Sequence, residues 1–266
     1  MEHRHKAIGL LDSGVGGLTL VRELNRQLPG ENMVYFGDTA RMPYGPRPLE
    51  EVREFVVEII EFMAATQDLK LVIIACNTAT IAALKHCQQR FPFPVLGVIE
   101  PGARAAVDKS KNGRIGVLAT EGTIASKAYP NAIREFSSEV SVYDQASPRL
   151  VLLVENQLVN SPEAYSAAQN YLKPLLEQGI DSLILGCTHF PIMEHVLAQV
   201  AGPDVAMINP ALNAVKAAGE ILAGQDLLND GRKGWQRFFV SGEPKFFEEI
   251  GENLLGYALR AYRVIF

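Results

Sequence analysis

Two apolar runs that each end in a cysteine place the strongest constraint on how this 266-residue chain can fold. The first lies within residues 70–80 and ends at Cys76, and the second lies within residues 181–190 and ends at Cys187. A continuous apolar run followed by helix-capping residues is typical of a buried parallel strand that leads into a helix. Ligands of open α/β sheets bind beyond the carboxyl ends of such strands. Each cysteine is therefore predicted to lie where ligand chemistry takes place.

Strand-like segments occur in two sets of four, in the same order. They lie at residues 7–11, 33–36, 70–75 and 95–99, and again at residues 115–118, 140–143 and 181–186 and near residue 208. Corresponding positions in the two sets are 107 to 111 residues apart, and the two cysteines are separated by 111. Helical segments alternate with these strands, which predicts parallel sheets with right-handed crossovers.

The segments after Pro210 do not follow this repeat. The pattern predicts helices over residues 211–222 and 246–262, with a short strand at residues 238–240 between them. Taken together, the chain is predicted to have an α/β fold with two pseudo-symmetric lobes. Each lobe is expected to hold a mainly parallel four-stranded sheet flanked by helices, with the active site in the cleft between the lobes.

Composition excludes several classes of protein. The net charge is −5, and the basic residues are scattered, so the chain has no basic surface of the kind that nucleic acid requires. Three cysteines in a chain of this length indicate a reducing compartment. The sequence shows neither a signal-peptide pattern nor an uncharged run of about 18 residues that could span a bilayer. We expect a soluble cytoplasmic protein with no nucleic-acid or membrane partner.

A glycine-rich segment at residues 12–17 follows the first strand. It lacks the third glycine of a dinucleotide fingerprint, since Thr19 stands there, and it has no Gly-Lys-Ser/Thr of a phosphate-binding loop. Its free N–H groups could bind a small anion such as a carboxylate, or it could be a tight turn capped by Asp12. Both interpretations remain open from the residues alone.

A buried cysteine is most often a small hydrophobic residue, and Cys87, in the middle of a predicted helix, fits that interpretation. Cys76 and Cys187 differ because both are followed by polar, helix-capping residues, and a helix N-terminus favours the thiolate. A disulfide between them is possible, but in a cytosolic protein two such thiols are more typical of catalysis. Cys187 and His189 could contribute two zinc ligands, but no pair of the usual spacing completes a tetrahedral set, so no metal site is predicted.

Two thiols in equivalent positions suit one kind of chemistry in particular. Inverting a carbon centre requires a base that removes a proton from one face and an acid that returns a proton to the other. A pseudo-twofold protein provides such a mirrored pair. His189 would then serve as a general acid, as an orienting group, or as a polar residue of the turn.

Six motifs together resemble those of the cofactor-independent aspartate/glutamate racemase family. They are Asp12-Ser13-Gly14-Val15-Gly16-Gly17, Gly37-Asp38-Thr39-Ala40, Pro43-Tyr44-Gly45, Ala75-Cys76-Asn77-Thr78-Ala79, Val98-Ile99 with Pro101-Gly102, and Leu185-Gly186-Cys187-Thr188-His189. The resemblance implies a first lobe of residues 1–97 and 210–266 and a second lobe of residues 98–209. It further implies reversible interconversion of L- and D-glutamate, which supplies D-glutamate for the peptidoglycan of the cell wall, without pyridoxal phosphate, metal or any other cofactor.

The same resemblance assigns roles to individual residues. Cys76 is expected to deprotonate D-glutamate with help from Asp12, and Cys187 to deprotonate L-glutamate with help from His189 and Glu155. The residues expected to contact the substrate are Asp12, Ser13, Tyr44, Gly45, Asn77, Thr78, Thr188 and His189. None of them is a lysine or arginine, so hydroxyls, amides and helix-terminal N–H groups are expected to bind the carboxylates of the substrate.

Other functions on the same fold remain compatible with the sequence. An aspartate or hydantoin racemase would differ in its preference for side-chain length. A non-catalytic amino-acid-binding or inhibitory protein would bind without exchanging the α-proton, and the presence of both thiols counts against it. The partner is expected to be a small molecule, L- or D-glutamate, and a homodimer is compatible with the resemblance.

Overall fold

The computed structural model describes residues 2–230 and 234–266 and has two compact units. The first unit contains the chain up to Val98 together with Ala214–Phe266, and the second contains Ile99–Asn213. Each unit is built on a parallel sheet flanked by helices, which confirms the predicted α/β fold.

The first described element is a short 3-10 helix, Glu2–His5, and strands and helices then alternate through the first unit. The elements are β1 (Ala7–Asp12), α1 (Leu18–Gln27), β2 (Met33–Gly37), α2 (Leu49–Thr66), β3 (Leu69–Ile74), α3 (Asn77–Arg90) and β4 (Val95–Gly97). Every residue of β1, β2 and β3 is buried, as expected for parallel strands covered on both faces.

The second unit repeats the alternation. Its elements are α4 (Ile99–Lys109), β5 (Arg114–Ala119), α5 (Glu121–Ala125), α6 (Ala128–Phe136), β6 (Ser141–Ala146), α7 (Pro148–Glu155), α8 (Pro162–Glu177), β7 (Ser182–Gly186), a 3-10 helix (Phe190–Met193), α9 (Glu194–Ala201) and β8 (Ala206–Ile208). The chain then continues through α10 (Pro210–Gly224), β9 (Gln236–Val240), α11 (Pro244–Leu255) and β10 (Ala261–Arg263).

Four strands of the first sheet follow the same order as the four strands of the second. The sheet of the second unit runs β6-β5-β7-β8, and the first sheet contains β2-β1-β3-β4, with β9 and β10 added beyond β2. By chain order, β3 therefore corresponds to β7. Cys76 and Cys187, which follow these two strands, occupy equivalent places in their own units.

The prediction of four strands for the first sheet is wrong, because that sheet has six. The strand predicted at residues 238–240 exists as β9 and pairs in parallel with β2. The helix predicted over residues 246–262 ends at Leu255, because Gly256 adopts a left-handed conformation with φ of 77° that terminates it. The chain after this turn forms β10, which pairs with β9.

The strand predicted at residues 95–99 is also shorter than expected. It ends at Gly97, and Ile99 already begins α4. Pro101 is compatible with this start, because proline is tolerated in the first turn of a helix, where its missing N–H has no partner to lose.

No helix within the described residues is both long enough and apolar enough to cross a membrane.

The turn before β7 is held together by Asp181. Its carboxylate accepts hydrogen bonds from Ser110 Oγ at 2.6 Å and from the backbone N–H groups of Lys111 at 2.6 Å and Asn112 at 2.7 Å. Burial alone would raise the pKa of the Asp181 carboxyl, but these hydrogen bonds outweigh it and hold the pKa below its usual value of 3.8. The ionised carboxylate therefore connects the loop after α4 to the start of β7.

Replacing Asp181 by Asn should destabilise the protein, because an amide cannot accept all three hydrogen bonds. We expect the free energy of unfolding to fall by about 1 kcal/mol at about pH 7. A lowered carboxyl pKa contributes stability that is present above the unfolded pKa and is lost as pH falls through the folded pKa. The difference from wild type should therefore shrink below about pH 4.

Urea unfolding midpoints at neutral and acidic pH measure this difference. Asp204→Asn is the matched control, because Asp204 lies on the surface of the same unit. An Asp181→Asn midpoint equal to that of the control at neutral pH would contradict the prediction.

Candidate active site

Cys76 lies at the junction between β3 and α3. It is the N-cap residue of α3, with φ of −68° and ψ of 129°, and its carbonyl accepts the N–H of Thr80 at 2.9 Å. Thr80 Oγ1 also donates to the carbonyl of Ile74 at 3.0 Å, which ties the first turn of the helix to the end of the strand. The Cys76 side chain is 8 % exposed. A helix N-terminus favours negative charge, so the position suits a thiolate.

Asp12 ends the neighbouring strand β1. Leu11 pairs with Ile74, and the Ala75 N–H donates to the Leu11 carbonyl at 2.8 Å, so the ends of β1 and β3 lie side by side. The Asp12 side chain is fully buried, and its Oδ2 accepts the N–H of Gly14 at 3.0 Å. This bond holds the carboxylate within the glycine-rich turn that the sequence indicated.

Gly17 is required at this turn because the chain approaches Asp12 closely. A Cβ atom on Gly17 would lie 2.5 Å from Asp12 Cβ and 2.7 Å from Tyr35 Oη. Real Cβ atoms essentially never come within 3.0 Å of another heavy atom. Any side chain at this position would therefore displace Asp12 or Tyr35.

Tyr35 is a buried residue beside the glycine-rich turn that the sequence analysis did not identify. Its hydroxyl donates to the carbonyl of Gly14 at 2.7 Å. Burial raises its pKa well above the usual value, and electrostatic interactions with Asp12 and Cys76 raise it further. Tyr35 thus lies within electrostatic range of both groups. It is the only polar side chain in β2, and an isolated hydroxyl in an apolar strand is a signal that the hydroxyl has a specific partner.

In the second unit, Cys187 follows β7 and is likewise 8 % exposed. Its Sγ lies 3.6 Å from Nδ1 of His189, which is within hydrogen-bonding distance for sulfur. On the other side of the imidazole, Nε2 of His189 lies 3.4 Å from Oε1 of Glu155, the last residue of α7. The structure therefore brings together the three residues that the resemblance grouped. The imidazole of His189 lies between the carboxylate of Glu155 and the thiol of Cys187.

Tyr129 lies beside this thiol and was also missed. It is fully buried, and burial raises the pKa of its hydroxyl, with a smaller electrostatic contribution from the nearby Cys187. Its ring also explains the glycine before the cysteine. A Cβ on Gly186 would lie 3.0 Å from Tyr129 Cε2 and 3.0 Å from Ala119 Cβ, so a larger residue would push the strand end away from its neighbours.

The remaining candidate substrate contacts follow β1, β3 or β7 closely or, for Tyr44 and Gly45, lie in the loop between β2 and α2. Ser13, Tyr44, Asn77 and Thr78 are buried in the first unit, where Gly45 is half-buried, and Thr188 is buried in the second. Their contact with a substrate stays a prediction.

Cys87 differs from the two site cysteines. It is fully buried in α3, and burial raises the pKa of its thiol to about 11, so the thiol is protonated at neutral pH. None of the three cysteines, all of which lie in the described part of the chain, forms a disulfide. Across residues 2–230 and 234–266, no group of three or more His, Cys, Asp or Glu side chains is arranged to hold a metal ion.

Comparison with known proteins identifies the family. The sequence profile of the Asp/Glu/Hydantoin racemase family matches residues 8–218. This chain belongs to that family. It is 44 % identical over 252 residues to a glutamate racemase of Geobacter metallireducens, covering 94 % of this chain and 93 % of the relative. It is 43 % identical over 262 residues to a glutamate racemase of Exiguobacterium sibiricum, covering 98 % and 96 %.

Solved structures of racemases show the same fold. The crystal structure of the glutamate racemase isoform RacE1 from Bacillus anthracis matches with a TM-score of 0.95 at 43 % identity, covering 98 % of both chains. The glutamate racemase of Francisella tularensis, in complex with D-glutamate, matches with a TM-score of 0.90 at 33 % identity, covering 99 % of this chain and 98 % of that one. The chain is an amino-acid racemase and therefore an isomerase.

Gly17→Ala should impair this racemase by displacing Asp12 and Tyr35. A misplacement of about 1 Å at a catalytic group can cost about a hundredfold in rate, and we expect a loss of that order. Amino-acid racemisation followed by circular dichroism measures it. Gly224→Ala is the matched control, because a Cβ at Gly224 would meet no atom within 4 Å. Full activity of Gly17→Ala would show that the tight approach to Asp12 is not needed.

Proposed function

We propose that this racemase interconverts L- and D-glutamate by passing protons between the substrate α-carbon and two thiols, Cys76 and Cys187. The observation that carries the proposal is the equivalence of the two cysteines. Each follows the third strand of a sheet with the same strand order, and each is 8 % exposed. The choice of glutamate is supported by relatives named glutamate racemases at 43–44 % identity over nearly the whole chain.

In one turnover the α-carbon loses one proton to one thiol and gains one proton from the other. The Cys76 thiolate removes the α-proton of D-glutamate and becomes a thiol, leaving a carbanion at the α-carbon. The Cys187 thiol then donates its proton to the opposite face of that carbon and becomes a thiolate, giving L-glutamate. The reverse reaction begins from this second protonation state, with Cys187 as the base and Cys76 as the acid.

Each thiol has a different helper in the proposal. Asp12, at the end of β1, assists Cys76. His189 assists Cys187, and its Nδ1 lies 3.6 Å from the sulfur. Glu155, 3.4 Å from Nε2, would orient the ring and stabilise it when it is protonated. Both assignments come from the family resemblance, and the distances within the second unit support the second one.

Substrate binding is assigned to Asp12, Ser13, Tyr44, Gly45, Asn77, Thr78, Thr188 and His189. Backbone N–H groups at the start of α3 and in the glycine-rich turn before α1 supply donors suited to carboxylates. Preorganised donors of this kind also stabilise negative charge that develops at the α-carbon. The proposal needs no cofactor, and it places residues 1–97 with 210–266, and residues 98–209, in two lobes that each supply one thiol.

Replacing either site cysteine by alanine should abolish inversion, with a loss of about 10³-fold or more in kcat. Exchange should survive on one enantiomer only. In deuterium oxide, Cys76→Ala should still exchange the α-proton of L-glutamate through Cys187, and Cys187→Ala should still exchange that of D-glutamate. Proton NMR of the α-position, combined with circular dichroism, separates exchange from inversion.

Cys87→Ala is the matched control for these variants. It removes the buried thiol that has no role in the proposal and should keep wild-type rates of both exchange and inversion. If either site variant inverted glutamate at the wild-type rate, the two-thiol mechanism would be wrong. If wild type exchanged neither enantiomer, the proposed activity would be wrong as well.

We further propose that the product serves cytoplasmic synthesis of peptidoglycan precursors. Expression of the chain in a bacterium that requires external D-glutamate should restore growth without the supplement. Cys87→Ala should restore growth equally, and Cys187→Ala should not. Failure of the active wild-type enzyme to restore growth would contradict this role without affecting the assignment of the reaction. Turnover of L-aspartate at a comparable kcat/KM would instead favour a broader amino-acid racemase.

A further inference from the structure

A buried carboxylate next to the candidate site has no part in the proton transfers described above. Asp38 follows β2, is fully buried, and donates its backbone N–H to the Asp12 carbonyl at 2.9 Å. Both of its carboxylate oxygens are occupied. Oδ1 accepts the hydroxyl of Ser241 at 2.6 Å, and Oδ2 accepts both the hydroxyl of Tyr44 and the Nε–H of Arg41, the latter at 2.7 Å. Asp38 thus fixes the side chain of a candidate substrate contact.

Arg41 is the cation that balances this carboxylate, and two aromatic rings enclose it. Its guanidinium carbon lies 4.2 Å from the ring centre of Phe55 and 4.8 Å from that of Phe266. Its Nη1 donates to Glu58 at 2.5 Å, and its side chain is only 20 % exposed. A planar guanidinium stacked on rings while its edge binds carboxylates is held in one orientation.

Phe266 is itself held by the core of the first unit. Its ring lies 5.4 Å from the ring of Phe36 and 6.1 Å from that of Phe62. The ring is therefore part of an aromatic cluster, although the residue is 46 % exposed. Its neighbour Ile265 is 81 % exposed and provides a natural comparison.

The backbone of the same loop is also tied to Arg41. Arg47 Nε donates to the Arg41 carbonyl at 2.8 Å, and the Arg47 N–H donates to the Tyr44 carbonyl at 3.0 Å. The loop of residues 38–47, which carries Tyr44 and Gly45, is therefore held by Arg41 through both its side chain and its main chain.

We propose that Arg41, stacked between Phe55 and Phe266, is a positioning residue that aligns Asp38 with Tyr44 and so sets the affinity for the amino-acid substrate. We call these four residues, Asp38, Arg41, Phe55 and Phe266, the Arg41 clamp. The role in affinity rests on the proposed function, since it assumes that Tyr44 and Gly45 contact glutamate. The proposal assigns Phe266, which lies beyond β10, a role in positioning the loop that carries Tyr44.

Steady-state kinetics with both enantiomers of glutamate test the clamp. Phe266→Ala should raise KM about tenfold, which corresponds to about 1.4 kcal/mol, and should leave kcat within about threefold of wild type. Arg41→Met should raise KM at least as much. Phe266→Tyr keeps the ring and should restore most of the affinity, because the partly exposed ring leaves room for a hydroxyl to reach water.

Two controls match these changes. Ile265→Ala removes the exposed neighbour of Phe266. Arg237→Met removes another arginine of the same unit that stacks on an aromatic ring, with its guanidinium carbon 4.9 Å from the ring of Trp235. Both should keep the wild-type KM. A KM shift in the controls equal to that of Phe266→Ala, or no rescue by Phe266→Tyr, would overturn the proposal.

Hydrogen–deuterium exchange without substrate measures the loop directly. Amides of residues 38–47 should exchange faster in Phe266→Ala than in wild type or Ile265→Ala, while the exchange of β1 and β3 stays unchanged. The unfolding temperature should fall only modestly, because the lost ring is partly exposed. Unchanged exchange in the loop, or faster exchange throughout the protein, would overturn the clamp. A wild-type protein inactive on glutamate would overturn the proposed function instead, and loop exchange would still decide whether the clamp holds the loop.

Discussion

Parallel pairing of a central strand with the strand that precedes a cysteine determines where both candidate catalytic thiols lie. In the first unit β1 pairs with β3, and in the second β5 pairs with β7. These strands are buried almost throughout, so a polar side chain inside them needs a buried partner, as Lys70 has in Glu31, whereas polar residues at the strand ends can face a ligand. The two cysteines lie at such strand ends. Cys187 directly follows the last residue of β7, and Cys76 lies two residues beyond the last residue of β3.

The two units share a backbone plan but differ in the chemistry around each sulfur. Cys76 lies near a carboxylate and the hydroxyl of Tyr35, whereas Cys187 contacts an imidazole that is followed by Glu155. A mirrored reaction requires equivalent positions for the two bases, but it does not require identical helpers. The shared strand order supplies the positions, and local residues adjust each thiol separately.

Much of this arrangement could be predicted from the sequence, because it depends on local patterns. The apolar runs before Cys76 and Cys187 identify the site strands, and the contact between Cys187 and His189 follows from their closeness in the chain. The number of strands in the first sheet could not be predicted, because the turn at Gly256 and the pairing of Ala261–Arg263 with β9 leave little trace in hydropathy. The hydrogen bond from Ser241 to Asp38 joins residues 203 positions apart, which no local pattern reveals.

The two sheets, with six and four strands, protect their edges against pairing with other chains in different ways. An apolar strand at the edge of a sheet presents unpaired N–H and C=O groups to other chains. Every residue of β2 is buried, and β9 and β10 cover its outer side, leaving as the new edge a strand of three residues that includes Arg263. The equivalent strand β6 has no such cover and instead carries Asp144 and Gln145 on a half-exposed edge. The first unit shields its edge by adding strands, and the second by making the edge strand polar.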